Sequence, residues 1–373
     1  MLWRASQNDY RFVPSPWNIQ DTVHATRIMA KNVFLIGPGY IGLTVLDNLL
    51  KDGYNVTALV RRQSAADELT KMGVKTVMGQ LHDHAVISAQ TAQSDVIIHT
   101  ATADDMQSVQ AVIDGIRQRV AQGTKTIYIH TSGTSFLSDD SKSEYSSETV
   151  YQDDKPEELD ALPDSASHRL IDLEIIRARQ EFGTQAKLFL MLPPLIYGVV
   201  KQHQKLSIQV PTLTRFALKH KYAGYVGKGK AIWSTVHVAD LARAYMLVLR
   251  WAQTAPDSVA TGNPYFFCEN GEEISWGEIA AMIGQQLEPL GKVYVSSTKE
   301  IPEEIHGDLF GPYSTVVIGA NSRSRARRVR ELGWTPKELG IREAFEVEEL
   351  PLLLSETGVF NGYGKPAASG ASS

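Results

Sequence analysis

The sequence is short of the features that would place a chain in a membrane, in an oxidising compartment or on a nucleic acid. A single cysteine, Cys268, stands among 373 residues, so neither an intrachain disulfide nor a cysteine-only metal cluster can form. A reducing compartment fits that usage, and a cytoplasmic location is the expectation. The longest apolar run, 188–200, is broken by Pro193-Pro194 and falls short of the roughly 20 residues a bilayer span needs. Residues 1–30 lack the continuous apolar core of a signal peptide, and Asp9 and Asp21 among Arg4, Arg11 and Arg27 make a poor mitochondrial presequence. A formal net charge of -5 offers no general attraction to nucleic acid or an anionic membrane. No histidine–carboxylate cluster has metal-ligand spacing, so no metal is expected. No internal repeat is visible.

What is present is an ordinary globular composition, 43% hydrophobic and 21% charged, on a chain long enough for one large domain or a domain with a smaller cap. One stretch organises it: KNVFLIGPGYIGLTVLDNLLKDGYNVTALVRR, residues 31–62. A short apolar run, Val33 to Ile36, leads into Gly37-Pro38-Gly39-Tyr40-Ile41-Gly42. An amphipathic segment (Ile41, Val45, Leu46, Leu49, Leu50) follows to Asp52-Gly53, and then a β-branched run, Val56 to Val60. This is strand, tight turn, helix, strand, the opening unit of a dinucleotide-binding fold. Gly37 allows the turn, Gly39 lets the backbone approach a pyrophosphate, and Gly42 lets the helix pack close to the strand. The helix N-terminus offers unpaired N–H groups to the phosphates. After the second strand an NAD enzyme usually places a carboxylate for the ribose 2′-hydroxyl, whereas arginine suits a 2′-phosphate. Arg61 and Arg62 stand there, so NADP(H) is favoured, with NAD(H) left open.

Short strands continue to alternate with helical segments: strands at 74–78, 95–100, 126–130 and 187–192, and helices at 65–72, after His82-Asp83, at 111–120 and at 167–179. The pattern argues a Rossmann-like, doubly wound parallel sheet covered on both faces. Ligands of such sheets bind beyond the carboxyl ends of the strands. Those ends here are Gly37–Gly42, Arg61, the turn holding Leu81, Thr100-Ala101-Thr102 and Thr131–Thr134. The acid-rich segment 136–163 reads as a solvated surface loop. The later half is less regular and reads as a smaller C-terminal lobe, with helices near 211–220, 239–251 and 276–287 and a strand at 265–268. The expected divisions are an accessory extension at 1–28, a dinucleotide-binding core at 29–200, a substrate lobe with returning core elements at 201–355 and a disordered tail at 356–373. Asn321–Arg330, with five arginines, reads as a helix with a charged face. His237, Asp240 and His99 read as structural.

GPGYIG, DVIIHTAT, IYIHTSG, PPLIYG, STVHVADLARAY and RELGWTPK, in that order over about residues 31–350, resemble the extended short-chain dehydrogenase/reductase superfamily of the NAD-dependent epimerase/dehydratase type. The resemblance implies a nicotinamide cofactor, a small-molecule substrate and often a dimer, and it adds Pro194 and Ile196 to the cofactor contacts. It also implies a catalytic tyrosine with a lysine four residues later, assisted by serine or threonine. Here His168 occupies the tyrosine's place and Asp172 the lysine's, with Ser132 or Thr134 nearest the hydroxyl position. Two readings follow. In one, His168 is the proton donor, Asp172 orients its ring, and Ser132 or Thr134 binds the substrate oxygen. In the other, the family's chemistry is lost. The expected functions are accordingly an NADP(H)-dependent reductase or dehydrogenase of a small carbonyl or hydroxyl compound, a sugar-nucleotide epimerase or dehydratase, or an NADP(H)-sensing regulator without turnover.

Overall fold

The computed structural model describes residues 31–363; the expected extension at 1–28, and residues 364–373 of the tail expected to be disordered from 356, lie outside the described residues. The start of that tail is instead ordered, with Glu356 paired to Arg215 and Tyr363 stacked on Phe310. Seven strands form one sheet: β1 (Asn32–Ile36), β2 (Asn55–Val60), β3 (Lys75–Met78), β4 (Val96–His99), β5 (Thr126–Thr131), β6 (Ala186–Leu192) and β7 (Tyr265–Phe267). Their order is β3-β2-β1-β4-β5-β6-β7, and every neighbouring pair is parallel. The near-continuous apolar composition of the inner strands follows from that position. All six residues of β5 and all seven of β6 are buried, because helices cover both faces of a parallel sheet.

On one face α1 (Tyr40–Lys51) packs against α7 (Val238–Thr254). On the other, α3 (His84–Ala92) packs on α4 (Met106–Ala121), and α4 on α5 (Arg169–Phe182). The short helix α2 (Gln63–Lys71) lies along β3. The chain order reverses between β1 and β4, which opens a crevice at their carboxyl ends.

Residues beyond 200 divide between two hydrophobic clusters. Strand β7, helix α7, Val329 and Trp334 belong to the same core as β1 to β6. The second cluster includes Leu195, Tyr197, Phe216, Trp233, Trp276 and Phe345. It surrounds a small sheet in which Leu195–Tyr197 pairs in parallel with Thr235–His237, and Trp233 faces Ile274 in an antiparallel pairing. Helices α6 (Gln209–His220) and α8 (Trp276–Leu287) complete it. Ser275 and Glu278 close a reciprocal capping box at the start of α8, satisfying backbone N–H groups that would otherwise be orphaned.

Two expectations need correction. The acid-rich segment 136–163 is not a solvated loop throughout. Phe136, Leu137, Asp153 and Leu159 are buried, and Tyr151–Gln152 pairs with Ser324–Arg325. The Asp153 carboxylate accepts from the backbone N–H groups of Phe267, Arg327 and Arg328, so that acid exists to satisfy main-chain donors. Nor does the arginine-rich stretch form a charged helical face. Only Arg328–Glu331 is helical. Arg323 and Arg325 both pair with Glu273, Arg330 pairs with Glu269, and the Arg328 guanidinium lies 3.9 Å over the Phe266 ring. These cations are consumed inside the fold. Among the described residues no helix is long and apolar enough to cross a membrane.

Candidate functional site

The turn after β1 is held by close backbone approach. Gly37 has φ +90°, and a Cβ there would stand 2.3 Å from Ala101 Cα. A Cβ on Gly42 would stand 2.1 Å from the Gly37 carbonyl oxygen and 2.6 Å from Thr100 Oγ1. Thr100 Oγ1 donates to that same carbonyl at 2.7 Å. The loops after β1 and β4 are thereby stitched together. Gly39 differs in kind, since a Cβ on it would meet nothing within 4 Å. It is the N-cap of α1, with no side-chain cap and no acid in the first turn. Open space over uncapped N–H groups at a positive helix end is what a pyrophosphate requires.

The other expected cofactor positions ring this turn. Tyr40 donates to the Gly198 carbonyl at 2.7 Å, tying α1 to the end of the short strand Leu195–Tyr197, which holds Ile196 and directly follows Pro194. Burial, then the carboxyls of Glu349 and Glu348, raise its phenol well above the usual range. Those two glutamates lie on a π-helical turn, Phe345–Glu349, and accept from the backbone of Gly198 and Val199. Ile41 and Leu81 are half-buried against the core. Arg61 and Arg62 are exposed immediately after β2. Thr102 is buried and its hydroxyl accepts from Asp104 N–H at 3.1 Å. Thr131 Oγ1 lies 2.5 Å from the Tyr245 hydroxyl, so it is spent on the core.

At the carboxyl ends of β4 and β5 the structure brings Ser132, His168 and Asp172 into one cluster. Ser132 Oγ donates to Asp172 Oδ2 at 3.0 Å. Burial pushes the Asp172 carboxyl up to about 7, against the opposing pull of the nearby His168 and the Ser132 hydrogen bond; its second oxygen, Oδ1, has no partner. His168 does not lean on Asp172. Its Nδ1 lies 2.6 Å from Asp104 Oδ1 and its Nε2 lies 2.5 Å from Ser135 Oγ. The physical reason is the backbone. His168 caps α5 in the left-handed region, φ +66°, so its side chain leaves the face that Asp172 shares with the helix. The next residue, Arg169, is buried and donates to the Tyr265 hydroxyl and the Asp160 carbonyl, which fixes that turn. Thr134 is turned elsewhere, with its Oγ1 and carbonyl accepting from Ser322 Oγ.

Asp104 and Ser135 are the residues that sequence reasoning missed. Ser135 could have been read from the repeated hydroxyls of Thr131-Ser132-Gly133-Thr134-Ser135. Asp104 carries no local signal, since only the loop after β4 delivers it.

Beneath this cluster lie two buried histidines, His99 and His130, with ring centroids 5.0 Å apart. Burial holds His99 down at about 4 and His130 well below its ordinary value, so both are neutral. His99 Nε2 meets Ser108 Oγ and His130 Nδ1 meets the Tyr128 hydroxyl. His237 caps α7 through Nδ1. Asp240 does not cap that helix; it accepts from the backbone of Lys337 and Glu338. Tyr145 is exposed and Tyr151 pairs in a strand. Among the described residues no cluster of three or more histidine, cysteine, aspartate or glutamate side chains could hold a metal.

A glycine-walled turn at the switch point of a parallel sheet, capped by an unopposed helix N-terminus, defines a Rossmann-type dinucleotide-binding protein. The family model of the NAD dependent epimerase/dehydratase family matches residues 33–262, and the chain belongs to that family. The oxidase ucsJ of Acremonium sp. is 29% identical over 87% of this chain and 100% of its own length. UDP-glucose 4-epimerase of Thermotoga maritima superposes with a TM-score of 0.59 at 16% identity, covering 85% of this chain and 97% of its own. The Thermus thermophilus UDP-glucose 4-epimerase in complex with NAD gives the same TM-score and identity over 87% and 100%.

Two outcomes follow from this geometry. Gly39→Val, at a backbone outside the left-handed region (φ -102°, ψ -146°), fills the space over the helix end; dinucleotide affinity, read by fluorescence titration, should be lost while circular dichroism shows the fold retained. Asp172 holds its proton in the folded state to about 7 but releases it near pH 4 when unfolded. The folded state therefore binds more protons between those values, and the contribution of this group to stability falls as pH rises through that window. Asp172→Asn should flatten that part of the stability–pH curve measured by denaturant unfolding, and an unchanged slope would show that Asp172 is ionised in the folded protein.

Proposed function

We propose that this protein is an NADP(H)-preferring oxidoreductase of a small carbonyl or hydroxyl compound in which His168 moves the proton. The observation that carries the reading is the imidazole itself, 14% exposed and held between Asp104 and Ser135 at the carboxyl edge of the sheet, where the family places its proton donor. The residues of the cradle fit a dinucleotide. The open space at Gly39 and the uncapped turn of α1 suit the pyrophosphate, and two exposed cations directly after β2, Arg61 and Arg62, suit a 2′-phosphate.

The nicotinamide cofactor, when bound, supplies or takes the hydride. The rest falls to the chain. Protonated His168 donates from Nδ1 to the Asp104 carboxylate, which stabilises the cation and fixes the ring. Its Nε2 proton passes through the Ser135 hydroxyl toward the substrate oxygen, and oxidation runs the same path backwards. Asp172 cannot take the charge-stabilising part of a lysine, because a carboxyl group carries no positive charge in either protonation state; burial raises it to about 7. An acid at the place of the family's lysine also favours a second reading, an NADP(H)-binding sensor without turnover.

Two experiments test the proposal. His168→Ala should bind NADPH normally and lose about 10²- to 10⁴-fold in kcat on an aldehyde and ketone panel; unchanged kcat would remove the imidazole from the chemistry, and no turnover by the parent protein would favour the sensor. Changing Arg61 and Arg62 to serine should weaken NADPH about ten- to hundredfold, from loss of a charge-assisted bond of roughly 1.5–3 kcal/mol, with NADH affinity nearly unmoved. Equal losses for both cofactors would deny the arginines a role in the choice.

A further inference from the structure

Asp104, His168 and Ser135 form a hydrogen-bonded chain in the order carboxylate, imidazole, hydroxyl. The contacts are 2.6 Å at Nδ1 and 2.5 Å at Nε2. With the ring neutral, Nδ1–H donates to Asp104, so Nε2 carries the lone pair and accepts the Ser135 proton. This is the connectivity that activates a serine for attack, identified by geometry and roles and not by sequence position.

Four further observations support a reactive serine over a merely packed one. Ser135 lies in the short 3-10 helix Thr134–Leu137 that directly follows the central strand β5, a strand–turn–helix placement that lifts a hydroxyl to the sheet's carboxyl edge. Ser135 is partly exposed, whereas the neighbouring Ser132 and Thr134 are buried and occupied. A Cβ at position 133 would stand in van der Waals contact with the imidazole, 3.5 Å from Nε2, so Gly133 is the residue that keeps a side chain off that side of the ring. The left-handed backbone of His168 is an uncommon conformation for a non-glycine residue, of the kind concentrated at functional sites.

We propose that Ser135 is a base-activated nucleophile and that the protein carries a second reactivity, acyl transfer from small activated esters, which does not use the dinucleotide. Ser135 Oγ bonds to the ester carbonyl carbon as its proton moves to His168 Nε2. The ester C–O bond breaks, and the leaving alcohol takes that proton. Water then attacks the acyl carbon as one of its protons moves to Nε2; the bond from that carbon to Ser135 Oγ breaks, the carboxylic acid departs carrying the water's hydroxyl, and Oγ takes the proton back from the ring. Asp104 holds the ring through Nδ1 and acts as a positioning residue.

The test uses the full chain without dinucleotide and an alkyl fluorophosphonate, with p-nitrophenyl acetate as the second probe. One phosphonyl adduct per chain, mapped to Ser135 by peptide mass, and a matching burst of nitrophenolate are expected. Labelling should slow at least about a hundredfold in His168→Ala, the typical cost of losing a general base, and also slow in Asp104→Asn, while both variants keep their NADPH affinity and unfolding midpoint. No adduct, an adduct elsewhere, or Ser135 labelling at an unchanged rate in His168→Ala would overturn the proposal. If His168→Ala does not fold, Ser135→Cys serves instead. Its alkylation by iodoacetamide should be fast and fall as acid protonates the ring, and a rate like that of an ordinary thiol would overturn the proposal. These readouts need no carbonyl turnover, so they stand or fall separately from the oxidoreductase reading.

Discussion

The architecture of the site depends on how closely two backbones approach beside Gly37. The Gly37 carbonyl takes a hydrogen bond from Thr100, Ala101 stands where a Gly37 side chain would be, and Gly42 presses a helix against the same oxygen. Any methyl group at either glycine forces β1, α1 and the loop after β4 apart. That one contact aims the first turn of α1 into the crevice. It also sets the start of the loop from which Asp104 reaches His168. The dinucleotide cradle and the candidate proton donor are therefore parts of one stitched unit.

Burial sorts the polar groups of that unit into those spent on structure and those left for chemistry. Thr131, Thr134 and His130 all have hydroxyl partners in the interior, and the two inner histidines are kept uncharged by desolvation. Glu349 belongs to the same category. Buried on its π-helical turn, it accepts from Gly198 N–H and is pushed up to about 8 by loss of solvent. His168 sits at the boundary, sheltered enough to hold both ring contacts and open enough to be reached.

Much of this was legible in the chain. The glycine spacing, the β-branched runs and the apolar continuity of β4 to β6 announce a parallel sheet and its first turn, because each reflects a local rule of backbone or burial. That Ser132, His168 and Asp172 come near one another at the sheet's edge was also readable, through the family's order of motifs. What escaped was non-local or conformational. Asp104 is delivered by a loop, and no period marks it. The partnership of His168 with Asp172 failed because an i,i+4 argument assumes helical φ at both residues, and His168 is left-handed. The arginines after residue 320 were read as surface charge because their acids, Glu269 and Glu273, lie some fifty positions away.

The left-handed turn at His168 also limits which side chains that position can carry. Histidine tolerates such a conformation better than bulky residues do, so the backbone and the side chain at this position are matched to each other. A larger ring there would sit on a backbone that disfavours it, and would have to replace an imidazole that meets Asp104 through one nitrogen and Ser135 through the other. The turn therefore acts as a filter on this position, admitting a side chain that is both compact and able to serve two polar partners at once.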